Sequence, residues 1–318
     1  MEVISTINCL ALAGQSVAPV MLIILIGMLL RKIKWLNVSG DNVLDKLSFR
    51  LLLPMTLFKN IYNSDFETAF DAQLVLTAVG MAIVSFGLAI FLAGLKEKDL
   101  SRKASLAQSI FRNNCLVFGL PIISAMYGEN EVAVFSMVLA FMIPVNNILS
   151  VVLMSLLTSR KIKIIDLCKR IITNSYVLFA VAALLIKLIG VVLPQSAVKV
   201  VSDISATATP MALLGLGAGL QISDVRKDLR SVTYGTVMRL IGMPLIFLPL
   251  LVLMGIKGAP LVSLFFVIGT PCAVACYPMA KEMGADGELA GHLVVVQSLC
   301  CILTIFLFLS AMGYLNWL

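Results

Sequence analysis

Ten stretches of this chain are apolar for about the length of a membrane crossing, with little between them. They lie near residues 14–30, 42–59, 72–95, 104–127, 132–157, 174–193, 200–222, 232–255, 259–281 and 289–313. A helix needs about 20 apolar residues to cross a bilayer. Lipid offers the backbone no hydrogen-bond partner, so each run must satisfy its own amides as a helix. Ten crossings consume most of the 318 residues. The expected fold is an all-α polytopic membrane protein of ten transmembrane helices, with no room for a soluble domain.

Charge supports this and orients the helices. Only 13% of residues are charged, against about 25% in soluble chains. So few charges cannot cover a soluble surface. Soluble enzymes, disordered chains and nucleic-acid binders are excluded, and no nucleic-acid partner is expected. The net charge of +7 sorts by loop. Of 24 Lys and Arg, 17 lie in loops after odd-numbered runs, while Lys59, Lys187, Lys199 and Lys257 lie on the other side. Arg50, Arg112 and Arg239 fall inside runs. Basic loops stay cytoplasmic, which puts both termini outside. Arg31, Lys32 and Lys34 follow the first apolar run, the wrong order for a cleaved signal. Trp35 and Trp317 sit at run ends, where indole rings favour the interface. The seven cysteines read as small packing residues. Cys272 and Cys276 are spaced for a metal but lack a nearby His or acid, so no metal and no cofactor are expected.

The chain also resembles itself. Val117-Phe-Gly-Leu-Pro121 echoes Val267-Ile-Gly-Thr-Pro271 at an offset of 150, and Pro54-Met-Thr-Leu57 echoes Pro210-Met-Ala-Leu213 at 156. These pairs link run two to seven and run four to nine. Five crossings per copy is an odd number, so the copies enter the membrane from opposite sides. The domains are then 1–158, a first five-helix repeat, and 159–318, its inverted partner. Inverted repeats are typical of secondary transporters with a midplane site. A proline inside a span removes a backbone hydrogen bond. Pro121 and Pro271, each two residues after a glycine (Gly119, Gly269), are the expected paired helix breaks.

Four segments carry a family resemblance. Asn113-Asn-Cys-Leu-Val-Phe-Gly-Leu-Pro121 resembles the fourth helix of the auxin efflux carrier family. Ala208-Thr-Pro-Met-Ala-Leu-Leu-Gly-Leu-Gly-Ala-Gly-Leu220 resembles its seventh, Gly269-Thr-Pro-Cys-Ala-Val274 its ninth, and Gln297-Ser-Leu-Cys-Cys-Ile-Leu-Thr304 its tenth. The match runs in order along the chain and is nearest the bacterial branch. The resemblance implies broken helices four and nine crossing at the midplane, a fold related to bile-acid symporters and sodium/proton antiporters, and residence in the bacterial inner membrane. It also implies transport of organic anions, with Asn114, Pro121 and Pro271 on family site positions. The chain departs from the pattern at Ala275, where many bacterial members have Asn, and at Cys276, where plant carriers have a second proline.

The expected function is a secondary transporter for a small organic anion, a carboxylate, by alternating access. Half-helix N-termini attract anions. The candidate substrate-binding residues are Asn113, Asn114, Gly119, Pro121, Gly269, Thr270, Pro271 and Cys272. Asn113 and Asn114 either hold the substrate or bond the loosened backbone. Arg112, Asn146, Asn147, Gln297 and Ser298 are secondary candidates. Arg112 either reaches the membrane interface or meets a substrate carboxylate, and Arg239 has the same ambiguity. The single histidine, His292, is expected to sit at the surface or cap a helix. No acid lies mid-run, which argues against proton exchange, and the coupling ion (sodium or proton) stays open. A bile-acid-type sodium symporter and a channel or sensor on the same scaffold are the alternatives. Nothing fits an intramembrane protease, so no enzyme is expected. A homodimer is compatible with the sequence.

Overall fold

A computed structural model describes residues 19, 22–36, 43–44, 46–63, 71–127, 129–158, 173, 175–219 and 225–318. Helices account for all regular structure among them. In chain order they are α1 (22–32), α2 (Leu53–Asn63), α3 (Ala72–Lys96), α4 (Leu100–Phe111), α5 (Cys115–Tyr127), α6 (Glu129–Thr158) and α7 (Ser175–Leu188). Then come α8 (Gln195–Gly219), α9 (Val225–Val237), α10 (Met243–Leu253), α11 (Gly258–Gly269), α12 (Cys276–Glu282) and α13 (Gly287–Tyr314). A π-helical turn, Ser48–Leu52, leads into α2, and another, Met238–Gly242, joins α9 to α10. Among the described residues, five continuous helices are long and apolar enough to cross a membrane: Ala72–Lys96, Val134–Thr158, Gln195–Ala218, Lys227–Leu253 and Gly287–Tyr314.

Local chemistry sets several starts. An aspartate precedes α3, α4 and α13, and its carboxylate accepts from the third amide beyond it. Asp71 takes Leu74 N–H, Asp99 takes Arg102 N–H and Asp286 takes Leu289 N–H, each at 2.9 Å. This satisfies one of the amides that a helix start leaves open.

Runs four and nine are each interrupted. The chain leaves α4 at Arg112 (φ −76°, ψ 125°) and resumes as α5 at Cys115. It leaves α11 at Thr270 (φ −82°, ψ 156°) and resumes as α12 at Cys276. Proline disfavours helical backbone in the residue before it. Pro271 thus accounts for the second break. The first break corrects the expectation built on Pro121, because that position lies inside α5. The chain instead opens at Arg112-Asn113-Asn114, where short amide side chains compete with helical hydrogen bonding.

Several elements recur at a common spacing. α4 begins at Leu100 and α11 at Gly258, α6 at Glu129 and α13 at Gly287, and the breaks open at Arg112 and Thr270. Every one of these pairs is 158 residues apart, so the proline-motif echo at 150 is out of step with the helices. The Pro54 and Pro210 pair, at 156, falls close to it.

One core unites α3 through α6 with α9, α10, α11 and α13. Phe118, Phe135, Phe265 and Phe266 lie at its centre without solvent exposure. A second group consists of α2 packed on α7 and α8, with α1 crossing α8 at Gly27 and Gly217. Each long helix shows two faces. On α13, Cys301, Ile305 and Leu309 are buried, whereas Leu299, Leu303 and Leu307 are exposed. An apolar face left open along a whole helix is expected against lipid.

Candidate functional site

The two breaks touch. Asn114 N–H donates to the Pro271 carbonyl at 3.0 Å. Arg112 and Gln108 of the first interrupted helix both reach the Met279 sulfur of the second, at 3.2 and 3.0 Å. Beside this contact lies a cavity of about 120 Å³. Its walls are residues 112–117 of the first break, Ala273–Ala275 of the second, Ile143, Asn146 and Asn147 of α6, Leu53 and Thr56 of α2, and Thr209 of α8. It sits where the large core meets the α2–α7–α8 group. A water needs about 10–15 Å³ of such space, so several waters or one small organic ligand would fit.

Polar groups line one side. Arg112 is 4% exposed. Its Nη2 donates to Asn147 Oδ1 at 2.5 Å, and Asn147 Nδ2 donates back to the Ile143 carbonyl at 2.8 Å. Among the described residues no carboxylate pairs with Arg112. A buried cation without a counter-charge is costly, and Arg112 brings that positive charge to the cavity wall. Asn146 is buried, and among the described residues its Oδ1 has no hydrogen-bond partner. The amide is thus available to a ligand. Asn113 Oδ1 accepts from the Cys115 thiol at 2.9 Å.

The profile of the membrane transport protein family, the auxin efflux carrier domain, matches the chain twice, over residues 13–166 and 158–309. The chain belongs to this family. It is a multi-pass integral membrane transporter, and its family is not a family of enzymes. No curated protein matches it significantly.

Within this family member, the expected site residues divide into three groups. Asn113, Asn114, Arg112, Asn146 and Asn147 all line the cavity. Thr270, Pro271, Cys272 and Gln297 form the backbone frame behind it. Thr270 Oγ1 donates to the Phe266 carbonyl at 2.8 Å, and Gln297 Oε1 accepts the Cys272 N–H at 2.8 Å. Ser298 is buried in α13, outside the cavity wall. Gly119 and Gly269 lie outside it as well, as close-packing points. A Cβ on Gly119 would lie 2.8 Å from Phe135 Cζ, and one on Gly269 would lie 2.4 Å from Phe265 Cε2. The Pro121 side chain lies outside the described residues.

Two features escaped sequence reasoning. Arg239 does not reach an interface. It is wholly buried and bonds both breaks. The only available signal was its place inside an apolar run. His292 is not at the surface. It is 2% exposed, with Nδ1 at 2.9 Å from Asp228 Oδ2. Asp228 in turn holds Arg102 at 2.9 Å, and Arg102 also reaches Glu97 at 3.2 Å and Asp286 at 3.1 Å. Ser231 donates to Glu97 as well. Burial acts to lower the Arg102 pKa, but hydrogen bonds and charge from Glu97 and Asp228 outweigh it and raise the value. This cluster ties the far end of α3 and the start of α4 to α9 and α13.

Proposed function

We propose that this transporter carries a small organic anion, a carboxylate, bound in the cavity between the two helix breaks. The observation that carries the reading is Arg112, a buried guanidinium in the cavity wall, held by Asn147 and unpaired by any carboxylate among the described residues. A guanidinium presents a fork that matches a carboxylate. The Asn146 amide, with its oxygen unpartnered, suits a hydroxyl or amide hydrogen on the same ligand. Asn114 offers a further amide.

In this reading the chain crosses the bacterial inner membrane ten times as two inverted five-helix repeats, 1–158 and 159–318, with both termini outside. The double family match, the recurring spacing of 158 residues and the sorting of Lys and Arg support it. Alternating access then follows from the two packed groups. The large core, carrying both breaks and Arg112, shifts against α1, α2, α7 and α8, and exposes the cavity to one side at a time. The boundary position of the cavity favours this.

The test is uptake of labelled carboxylates into proteoliposomes of the purified protein. A charged hydrogen bond contributes about 1.5–3 kcal/mol, so Arg112→Gln should weaken substrate affinity by about ten- to a hundredfold. Uptake of no carboxylate by the intact protein, or unchanged affinity in Arg112→Gln, would overturn the assignment.

A further inference from the structure

The C-terminal ends of α4 and α11 meet at the breaks. A helix end leaves carbonyls without intrahelical donors and carries about half a negative charge. Two such ends side by side, away from water, call for a cation. Arg239 supplies it from the π-helical turn Met238–Gly242. Its side chain is fully buried. Nε donates to the Thr270 carbonyl at 2.7 Å and Nη2 to the Val267 carbonyl at 3.0 Å, both at the end of α11. Nη1 donates to the Ile110 and Phe111 carbonyls at 3.1 and 3.2 Å, at the end of α4. Among the described residues no carboxylate pairs with it.

Half-helix C-termini and unwound carbonyls are also the groups that hold a coupling sodium ion in transporters with discontinuous helices. The same cradle here is filled by a group that cannot leave. A guanidinium stays protonated in proteins, so it releases neither a metal ion nor a proton during a transport cycle.

We infer that Arg239 is a resident cation. It occupies the carbonyl cradle between the two half-helix ends, holds the breaks in register, and makes a sodium ion at this place unnecessary. It is a positioning residue. It lies outside the cavity wall and acts through Phe111 and Thr270, the neighbours of Arg112 and Pro271.

The test uses thermal unfolding of the purified full-length protein, so it does not depend on which anion is carried. The midpoint of the wild type should not change when choline is exchanged for sodium at constant ionic strength. Arg239→Ala empties the cradle. Its midpoint should fall and then be restored, saturably, by millimolar guanidinium. It should also rise with sodium, unlike the wild type. A ligand that binds only the folded state raises its apparent stability, and that saturable rise is the readout. A purely structural arginine would give the fall without the rescue. The proposal is overturned if sodium stabilises the wild type saturably, or if guanidinium acts on Arg239→Ala no better than choline. Should Arg239→Ala not fold, Arg239→Lys replaces it. One ammonium cannot span four carbonyls, so the midpoint should fall, and guanidinium should restore it partly. A lysine variant as stable as the wild type would overturn the proposal.

Discussion

The crossing of α1 over α8 gives a sharp test of how the two groups are held. Gly217 lies against Gly27, backbone to backbone. A Cβ built on Gly217 would lie 2.1 Å from the Ile24 carbonyl oxygen and 2.9 Å from its carbon. One built on Gly27 would lie 2.4 Å from the Leu214 oxygen. The obstructing atoms are main chain, so no rotamer change relieves them. Carbon–oxygen contacts settle at about 3.3–3.6 Å, so Gly217→Ala must move the helices apart by more than 1 Å. A gap of 0.5–1 Å already forfeits about a quarter to a half of each dispersion contact across it. The packing at risk is one buried cluster that holds Ile24, Ala212, Leu213 and Leu216 together with Cys272 and Tyr277 beside the second break. Overpacking of this kind costs about 1–3 kcal/mol. For a chain this long that is a fall of roughly 2–6 °C in unfolding midpoint. Gly80→Ala and Gly87→Ala on α3 are the controls, since a Cβ there has nothing within 4 Å. Alanine favours helix over glycine by up to about 1 kcal/mol, so the controls should hold or gain stability. Fluorescence-monitored melting in detergent measures all three. A Gly217→Ala midpoint matching the controls would refute the close crossing.

Three further outcomes follow from the same geometry. Gln297→Ala strands the buried Cys272 N–H, which should cost about 1–3 kcal/mol in melting. Asp228→Ala leaves Arg102 and His292 without their shared buried carboxylate and should lower stability by about 3 kcal/mol; a neutral result in the same assay would deny the cluster its structural role. Gly119→Val drives side-chain atoms into Phe135 and Phe266 at about 1–3 kcal/mol, and because Gly119 is not in the cavity wall, substrate affinity of the folded fraction in uptake assays should stay near wild type.

Much of the helical layout is legible because hydropathy is local. Apolar runs near 72–95, 132–157 and 289–313 reappear as α3, α6 and α13 within a few residues. Asp71, Asp99 and Asp286 mark the starts of α3, α4 and α13 through short-range capping. Run four, by contrast, reads as one apolar stretch and folds as two half-helices. The proline rule places its break at Pro121, yet the chain opens at Arg112–Asn114. The missing information is distant. The carbonyls freed at Ile110 and Phe111 are satisfied by Arg239, and the Asn114 amide by Pro271. With those partners in place, a break there is no longer expensive, and no local pattern announces them.

The candidate site divides the same way. Arg112, Asn113, Asn114, Asn146 and Asn147 stand out in sequence as polar residues in apolar surroundings, and all five line one cavity. Which of them bonds which was not readable, because Arg112 meets Asn147 across 35 positions and Met279 across 167.

By itself, the sequence determined a polytopic helical membrane protein of the auxin efflux carrier family, since both rest on patterns carried by neighbouring residues. Only the tertiary structure decided where the helices open, that two half-helix ends rather than an interface take the charge of Arg239, and that Arg112 faces a cavity. Each of these is settled by hydrogen bonds between residues far apart in the chain, where burial makes an unsatisfied polar group too costly to leave alone.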